Sequence, residues 1–326
     1  MGRCTRDDLE AVVEAAAWAP SVHNSQPWSF ALDEDEIILR ADTDRRLRAA
    51  DPEGRELLLS CGAALFNVRT AIRATGCEPL VRMLPDPDRP ALVARVRIGP
   101  AGAVEEETKM LREEIPRRRT HRAGFIPRPV PPRLLDLLVK EAEREGARLT
   151  PVRSVGAVRV LAALTSAAQD VQAQDRSFSL EMIRWGRPPG SRHRDGVPAD
   201  AYPQQARRTY PHFAQRDYAR GQGWGDRGDQ PMATQTGVVA LLTTGGDTRA
   251  DWIQAGQALQ AVLLHASAYG VCAAFHTQLL EFRHLRDFVR EELCSPEFPQ
   301  MVMRLGYPVR HTRGVRRTLP DVLEQA

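Results

Sequence analysis

Residues 62–76, GAALFNVRTAIRATG, return 194 positions later as residues 256–270, GQALQAVLLHASAYG. Gly62, Ala64, Leu65, Val68, Ala74 and Gly76 recur as Gly256, Ala258, Leu259, Val262, Ala268 and Gly270. The apolar stripe transfers too, with Leu58 onto Trp252 and Cys61 onto Ala255. Steps of three and four between apolar residues make each copy a long helix. A similar strand follows each one, RVRIG at 95–99 and VMRLG at 302–306, now at a shift of 207. A duplicated helix-and-strand unit restricts the chain to an α+β arrangement of two related halves, each a small, mostly antiparallel sheet with long helices, packed about a pseudo-twofold axis. The halves are placed at 1–112 and 113–326.

Around the repeat, Thr5 to Trp18 is expected to be helical, with Asp7 and Asp8 in the first turn where the helix dipole favours negative charge. Strands are expected over 28–32, 36–41, 79–84, 91–98, 238–242 and 301–305, and further helices over 104–115, 134–145, 155–174, 251–269 and 281–292. Between about 175 and 235 the texture changes to Gly, Pro, Arg and aromatics with little periodicity. Phe178, Trp185, Tyr202, Tyr210, Phe213, Tyr218 and Trp224 argue against disorder, so this stretch reads as a lid.

The charge balance, 45 basic against 42 acidic residues in 326, is too even to argue for nucleic acid or a membrane surface. The amino terminus has no apolar signal core, and a cytoplasmic protein is the expectation. Cys4, Cys61, Cys77, Cys272 and Cys294 are scattered, with no CxxC pair or histidine cluster, and read as reduced structural thiols with no metal site.

Two local features carry chemistry. APSVHNSQPW, residues 19–28, packs short polar side chains and stiffening prolines into one connection. RRRTHR, residues 117–122, is the sharpest local charge, and guanidinium forks with a threonine hydroxyl suit a phosphate. A second basic group, Arg310, Arg313, Arg316 and Arg317, closes the chain. There is no GxSxG elbow and no P-loop. GQGWGD lies in the irregular stretch, where a dinucleotide fingerprint does not belong.

These residues resemble the nitroreductase family. APSVHNSQPW is similar to its flavin-binding signature, RRRTHR to its amino-terminal phosphate segment, and MRLGYP followed by Arg316 and Arg317 to its carboxy-terminal strand and second phosphate contact. Ordinary members are homodimers whose FMN lies between subunits, one giving the arginines and the other the Pro-Ser-Asn loop. Here the first half has the loop and the second half has the arginines, as if a dimer had been fused and one pocket lost. The lid elements Trp185-Gly186-Arg187 and Asp195 to Pro198 resemble those of the Acg subgroup of actinobacterial nitroreductase-like proteins.

The resemblance implies that Pro20, Ser21 and Asn24 meet the flavin ring or ribityl chain with Gln26 nearby. It implies that Arg118, Arg119, Thr120, Arg122, Arg316 and Arg317 hold the phosphate, and that His276, Thr277 and Gln278 approach the ring. His23, inside the loop, is not assigned a chemical role. The function implied is an FMN oxidoreductase passing hydride between NAD(P)H or an organic donor and a small-molecule acceptor. Two other readings stand beside it: a flavin-storage protein whose lid excludes nicotinamide, and a biosynthetic dehydrogenase with its own substrate. Lid arginines 184, 187, 192, 194, 207 and 208 would suit an anionic compound. Because both walls belong to one chain, a monomer or weak homodimer is expected.

Overall fold

A computed structural model of the protein describes residues 5–205, 208–228, 234–310, 312 and 314–324. Cys4, Arg207 and Arg313 fall outside the described residues. Helix α1 (Arg6–Ala16) starts at a capping box in which Thr5 and Asp8 satisfy each other's backbone N–H groups. The Pro-Ser-Asn loop leads to the hairpin β1 (Trp28–Asp33) and β2 (Glu36–Ala41), then to α2 (Arg55–Ala74), β3 (Cys77–Met83), β4 (Leu92–Ala101) and α3 (Glu106–Glu114). The second half runs α4 (Pro132–Arg144), β5 (Arg148–Pro151), α5 (Val155–Gln174), α6 (Arg176–Trp185), β6 (Val238–Thr244), α7 (Arg249–Ala268), β7 (Cys272–Phe275), α8 (Arg283–Val289) and β8 (Phe298–Gly306), with a short α9 (Leu319–Val322) after it.

The duplication is visible in the topology. One sheet has strand order β1-β2-β4-β3 and the other β5-β6-β8-β7, and every ladder is antiparallel. Each long helix therefore connects the same two strand positions in its own sheet. Both glycine pairs of the repeat have a physical reason. Gly76 and Gly270 follow the two helices with φ of +80° and +73°, the left-handed conformation that ends a helix without a Cβ penalty. Gly62 and Gly256 lie where α2 crosses α7. A Cβ on Gly62 would drive into the Ile253 carbonyl and sit 3.0 Å from the Gly256 Cα, and one on Gly256 would drive into the Leu59 carbonyl. The two backbones touch at the pseudo-twofold axis, and each helix enters the other half's core: Ile253, Ala261 and Leu264 pack with the first, Leu59 with the second. By length and hydropathy α2 alone, among the described residues, could cross a bilayer, but 83% of its apolar window is buried inside the protein.

Two of the connections that differ between the halves bear on the site. Residues 17–27 join α1 to β1, whereas residues 145–147 join α4 to β5, so only the first half has room for a binding loop at that position. Between β5 and β6 the chain runs over 152–237, where β1 and β2 have only a tight turn. That segment contains a helix the sequence reading lacks. In α6, Asp175 accepts from the backbone of Ser177 and Phe178 as N-cap, and Phe178, Met182 and Trp185 share one side of the helix. Strand β5 was also unforeseen, being a four-residue edge ending in proline. The expected helix over 281–292 shortens to α8 and ends in a wider turn over 290–294.

Candidate functional site

The loop after α1 is held in a conformation that most side chains avoid. His23, Asn24 and Gln26 have φ of +52°, +53° and +50°. Such backbone persists only where neighbours over-determine it, and it gathers at functional sites. Here the neighbours are specific. The Ser21 hydroxyl accepts from the Gln26 backbone at 2.9 Å, and the Gln26 side chain bridges the Arg194 carbonyl (2.9 Å) and the Arg317 N–H (2.8 Å). Asn24 donates to the carbonyls of Gly196 and Val315 and accepts from Arg316 at 3.0 Å. The early loop, the lid and the carboxy-terminal arginines thus meet at one asparagine, although Asn24 and Arg316 stand 292 residues apart.

Beside this junction a cleft opens in two connected compartments. The larger, about 690 Å³, is lined by Pro20, Ser21, Val22 and His23 from the loop, Leu59 and Ser60 of α2, Leu259 of α7, Phe275, Thr277 and Met301 from the second sheet, and Gln215, Arg216 and Tyr218 from the lid. The smaller, about 430 Å³, shares Pro20, Ser21, Thr120 and Arg122 with it and adds Asn24, Arg118, Arg119, Arg316 and lid residues 196–198. The large compartment exposes mainly apolar surface between its polar side chains, and the small one is cationic.

The cations in the small compartment lack counterions. Among the described residues, no carboxylate pairs with Arg118, Arg119, Arg122 or Arg316. Arg118 is buried with Nε and Nη1 unpartnered, and burial, with Arg119 and Arg122 beside it, pushes its pKa down to about 10. Burial and the same arginines hold Arg316 well below its ordinary range. Both donate to the Trp18 carbonyl, at 3.3 and 3.1 Å, which fixes their direction without neutralising them. Arg119 and Arg316 also flank the Trp18 ring. Unlike a lone buried arginine satisfied by carbonyls, a cluster with unpartnered N–H donors suits an anion, and the planar forks match phosphate oxygens. Arg117 is not among them: it is exposed and paired with Glu113 and Glu114.

The lid closes over this region through its two short motifs, which pair with each other. The backbones of Trp185 and Arg187 exchange hydrogen bonds with Val197, and Arg187 reaches Asp195 at 2.6 Å. Asp195 also pairs with Arg45 of the first half. Burial alone would raise the Asp195 pKa, but the two arginines outweigh it and hold the carboxyl below its usual range.

Pro20, Ser21, Asn24, Arg118, Arg119, Thr120, Arg122, Thr277 and Arg316 therefore line the cleft. Gln26 and Arg317 do not: Gln26 is buried in the loop's own bracing, and Arg317 is committed to the carbonyls of Gln26 (3.2 Å) and Trp28 (3.3 Å). His276 and Gln278 stand behind the wall. The His276 Nε2 accepts from Arg304 at 2.8 Å, and Gln278 donates to the Gln169 side chain and the Ala214 carbonyl at 3.3 Å each. Arg304, wholly buried, also donates to the carbonyls of Thr236 and Ala123, so His276 completes a structural guanidinium cage. Of the lid arginines, Arg187 is paired with Asp195 and Arg184 bonds the Asp44 carbonyl, and neither lines the cleft.

The nitroreductase family model matches residues 3–51 and 115–307. The chain belongs to that family. The matched segments take the loop from the first half and the arginine segment and second sheet from the other, and they leave out α2, β3 and β4. Two Mycobacterium tuberculosis proteins provisionally named NAD(P)H nitroreductases are similar along most of their length. One is 32% identical over 98% of this chain and 91% of its own, and acg is 30% identical over 93% and 89%. Among solved structures, an FMN-bound nitroreductase of Desulfitobacterium hafniense aligns with 67% of this chain and 98% of its own at 13% identity, with a TM-score of 0.41. A protein of Anabaena variabilis provisionally named a nitroreductase covers 93% of this chain and 73% of its own at 15% identity, with a TM-score of 0.44. Within this member of the family, the lining residues that sequence reasoning missed include Leu59, Ser60, Leu259, Phe275, Met301, Gln215, Arg216 and Tyr218. The repeat marks both helices as core elements, but no local signal marks which of their residues, or which lid residues, face the cleft.

Proposed function

We propose that the chain is an FMN-dependent oxidoreductase of the nitroreductase type, moving hydride between a nicotinamide or organic donor and a small organic acceptor such as a quinone or nitroaromatic. The observation that carries this reading is the continuity of an apolar compartment with a cationic one. A flat aromatic ring suits the first and a phosphate the second. Arg118, Arg119, Arg122 and Arg316, with the Thr120 hydroxyl, would hold the phosphate, and Pro20, Ser21, Leu59, Leu259 and Phe275 would enclose the ring. Asn24, Gln26 and Arg317 would position these groups, and Thr277 would border the ring. When bound, FMN supplies the hydride chemistry, so no side chain need act as a nucleophile. We also assign the halves to 1–112 and 113–326, with the lid centred on 175–235.

The lid favours a second reading, in which FMN is stored and nicotinamide kept out. Its 194–197 stretch hydrogen-bonds the loop, and Asp195 ties it to Arg45. Anaerobic titration of the FMN-loaded protein with NADH and NADPH decides between them. Bleaching of the flavin absorbance within seconds is the result expected of the enzyme. A flavin that dithionite reduces but neither nucleotide does would exclude the nicotinamide donor and favour storage. Protein that takes up no FMN at micromolar concentration ends both.

A further inference from the structure

In the large compartment one pair of groups has no part in holding a cofactor. The His23 Nδ1 stands 3.0 Å from the Tyr218 hydroxyl, joining the first half's loop to the lid, and both side chains line the cleft. His23 is buried, and its Nε2 has no hydrogen-bond partner. Burial, with Arg216 and Arg122 nearby, holds His23 well below its ordinary range, so the ring is neutral at physiological pH. A neutral imidazole has one N–H and one lone pair. If Nδ1 accepts from Tyr218, the ring proton is on Nε2; if Nδ1 donates, the tyrosine O–H is released. Either tautomer leaves the pair one unspent proton donor.

We propose that His23 and Tyr218 together are the proton donor for reduction of an acceptor whose oxygen gains negative charge, such as a quinone or conjugated carbonyl; this rests on the flavin reading above. The acceptor takes a hydride, two electrons with one proton, from reduced flavin, and its anionic oxygen takes a second proton from the pair. Donation from Nε2–H is accompanied by passage of the Tyr218 proton to Nδ1, whereas donation from the tyrosine O–H needs no other shift. Both routes end in one state: a Tyr218 phenolate accepting a hydrogen bond from Nδ1–H of a neutral His23. That charge forms beside Arg122, whose guanidinium lies 5.8 Å from the Tyr218 ring centre, and near Arg216, which Glu281 and Thr277 hold in place. Tyr202, 5.8 Å away ring to ring, is pushed up to about 12, chiefly by burial, and stays protonated. Water restores the proton after product leaves.

The test uses the FMN-loaded protein reduced with stoichiometric dithionite, which bypasses any nicotinamide step. Reoxidation is followed anaerobically with 1,4-benzoquinone and with ferricyanide, which takes an electron and no proton. Tyr218→Phe and His23→Asn, the latter tolerant of the positive φ, should each slow the quinone reaction about 10–100-fold, the lower range of general acid catalysis. The ferricyanide rate should stay within about twofold of wild type. Parallel slowing of both acceptors, or an unchanged quinone rate, overturns the proposal. The flavin-free protein gives a second readout in the nitrogen-15 shifts of the His23 ring. The ring should be neutral at about pH 6, with an Nδ1 hydrogen bond that Tyr218→Phe removes; a protonated ring at that pH overturns the proposal as well. Failure of the flavin reading itself looks different, since the wild type would then bind no FMN.

Discussion

Arg118 is a cation buried among cations, and a charge in that position costs stability unless an anion arrives. Its depressed pKa gives the sign: the fold disfavours the protonated form, and at neutral pH the group is protonated. Arg118→Met should therefore raise the melting temperature of the flavin-free protein by about 1–2 °C, the shift expected for roughly 1 kcal/mol in a chain of this length. It should also weaken FMN binding about 10–100-fold through loss of charge-assisted hydrogen bonds. Riboflavin, which has no phosphate, should lose much less; equal losses for the two flavins would remove Arg118 from the phosphate site. Glu56 presents the opposite case. Burial, then Glu281, raises its pKa to about 8, and one carboxyl oxygen has no partner. With the folded value above the unfolded one, its contribution is fully present below about pH 4.5 and is lost as pH rises through about 8. Denaturation midpoints should fall across that window, and Glu56→Gln should flatten the slope. Of the individual side chains, those in the loop and the arginine run were legible because each cluster is contiguous in sequence. His276 was not: whether it faces the cleft or Arg304 depends on strand pairing, which places Phe275 opposite Met303 and Ala274 opposite Arg304.

The duplicated helices were legible as elements because their close approach needs glycine at one position in each, and that need leaves a pair of glycines in register. Alanine is the better helix former by about 1 kcal/mol, so propensity alone predicts that Gly62→Ala or Gly256→Ala stabilises. The structure predicts the reverse. A Cβ at either site meets backbone of the partner helix, which cannot move aside as a side chain could. Each substitution should lower stability by about 2–4 kcal/mol, at or above the usual range for overpacking. Gly245→Ala, with nothing within 4 Å of the added methyl, should change it by less than about 0.5 kcal/mol. Chemical denaturation of the three variants settles the sign. The lid resisted the same reading. Helix α6 shows Leu180 and Ile183 to solvent and buries only Trp185, so apolar residues lie on both sides of it and no single stripe stands out. Its position is fixed instead by the first half, where Glu181 accepts from the backbone of Ala49 and Ala50 and Trp185 packs with Leu47 and Ala50, long-range contacts that no spacing encodes.

At the level of the whole chain, the pseudo-twofold axis should generate two clefts, and the short 145–147 connection removes the loop that the second would need. The surviving cleft takes Pro20 to Asn24 from one half, Arg118 to Arg122 from the start of the other, Arg316 from the carboxy terminus and a roof from the lid. All of these belong to one polypeptide, so cofactor affinity should not depend on association between chains. The prediction is one FMN per chain, with a dissociation constant that is unchanged when protein is diluted from micromolar to nanomolar concentration. Fluorescence titration at several protein concentrations, alongside sedimentation to fix the oligomeric state, measures both quantities. A stoichiometry of one FMN per two chains, or an affinity that falls on dilution together with a dimer, would mean that a second copy completes the site. The fusion would then have conserved the dimer's architecture without making its cofactor pocket independent. An affinity indifferent to dilution would mean that the contact between Asn24 and Arg316 has replaced a subunit interface with an intramolecular one.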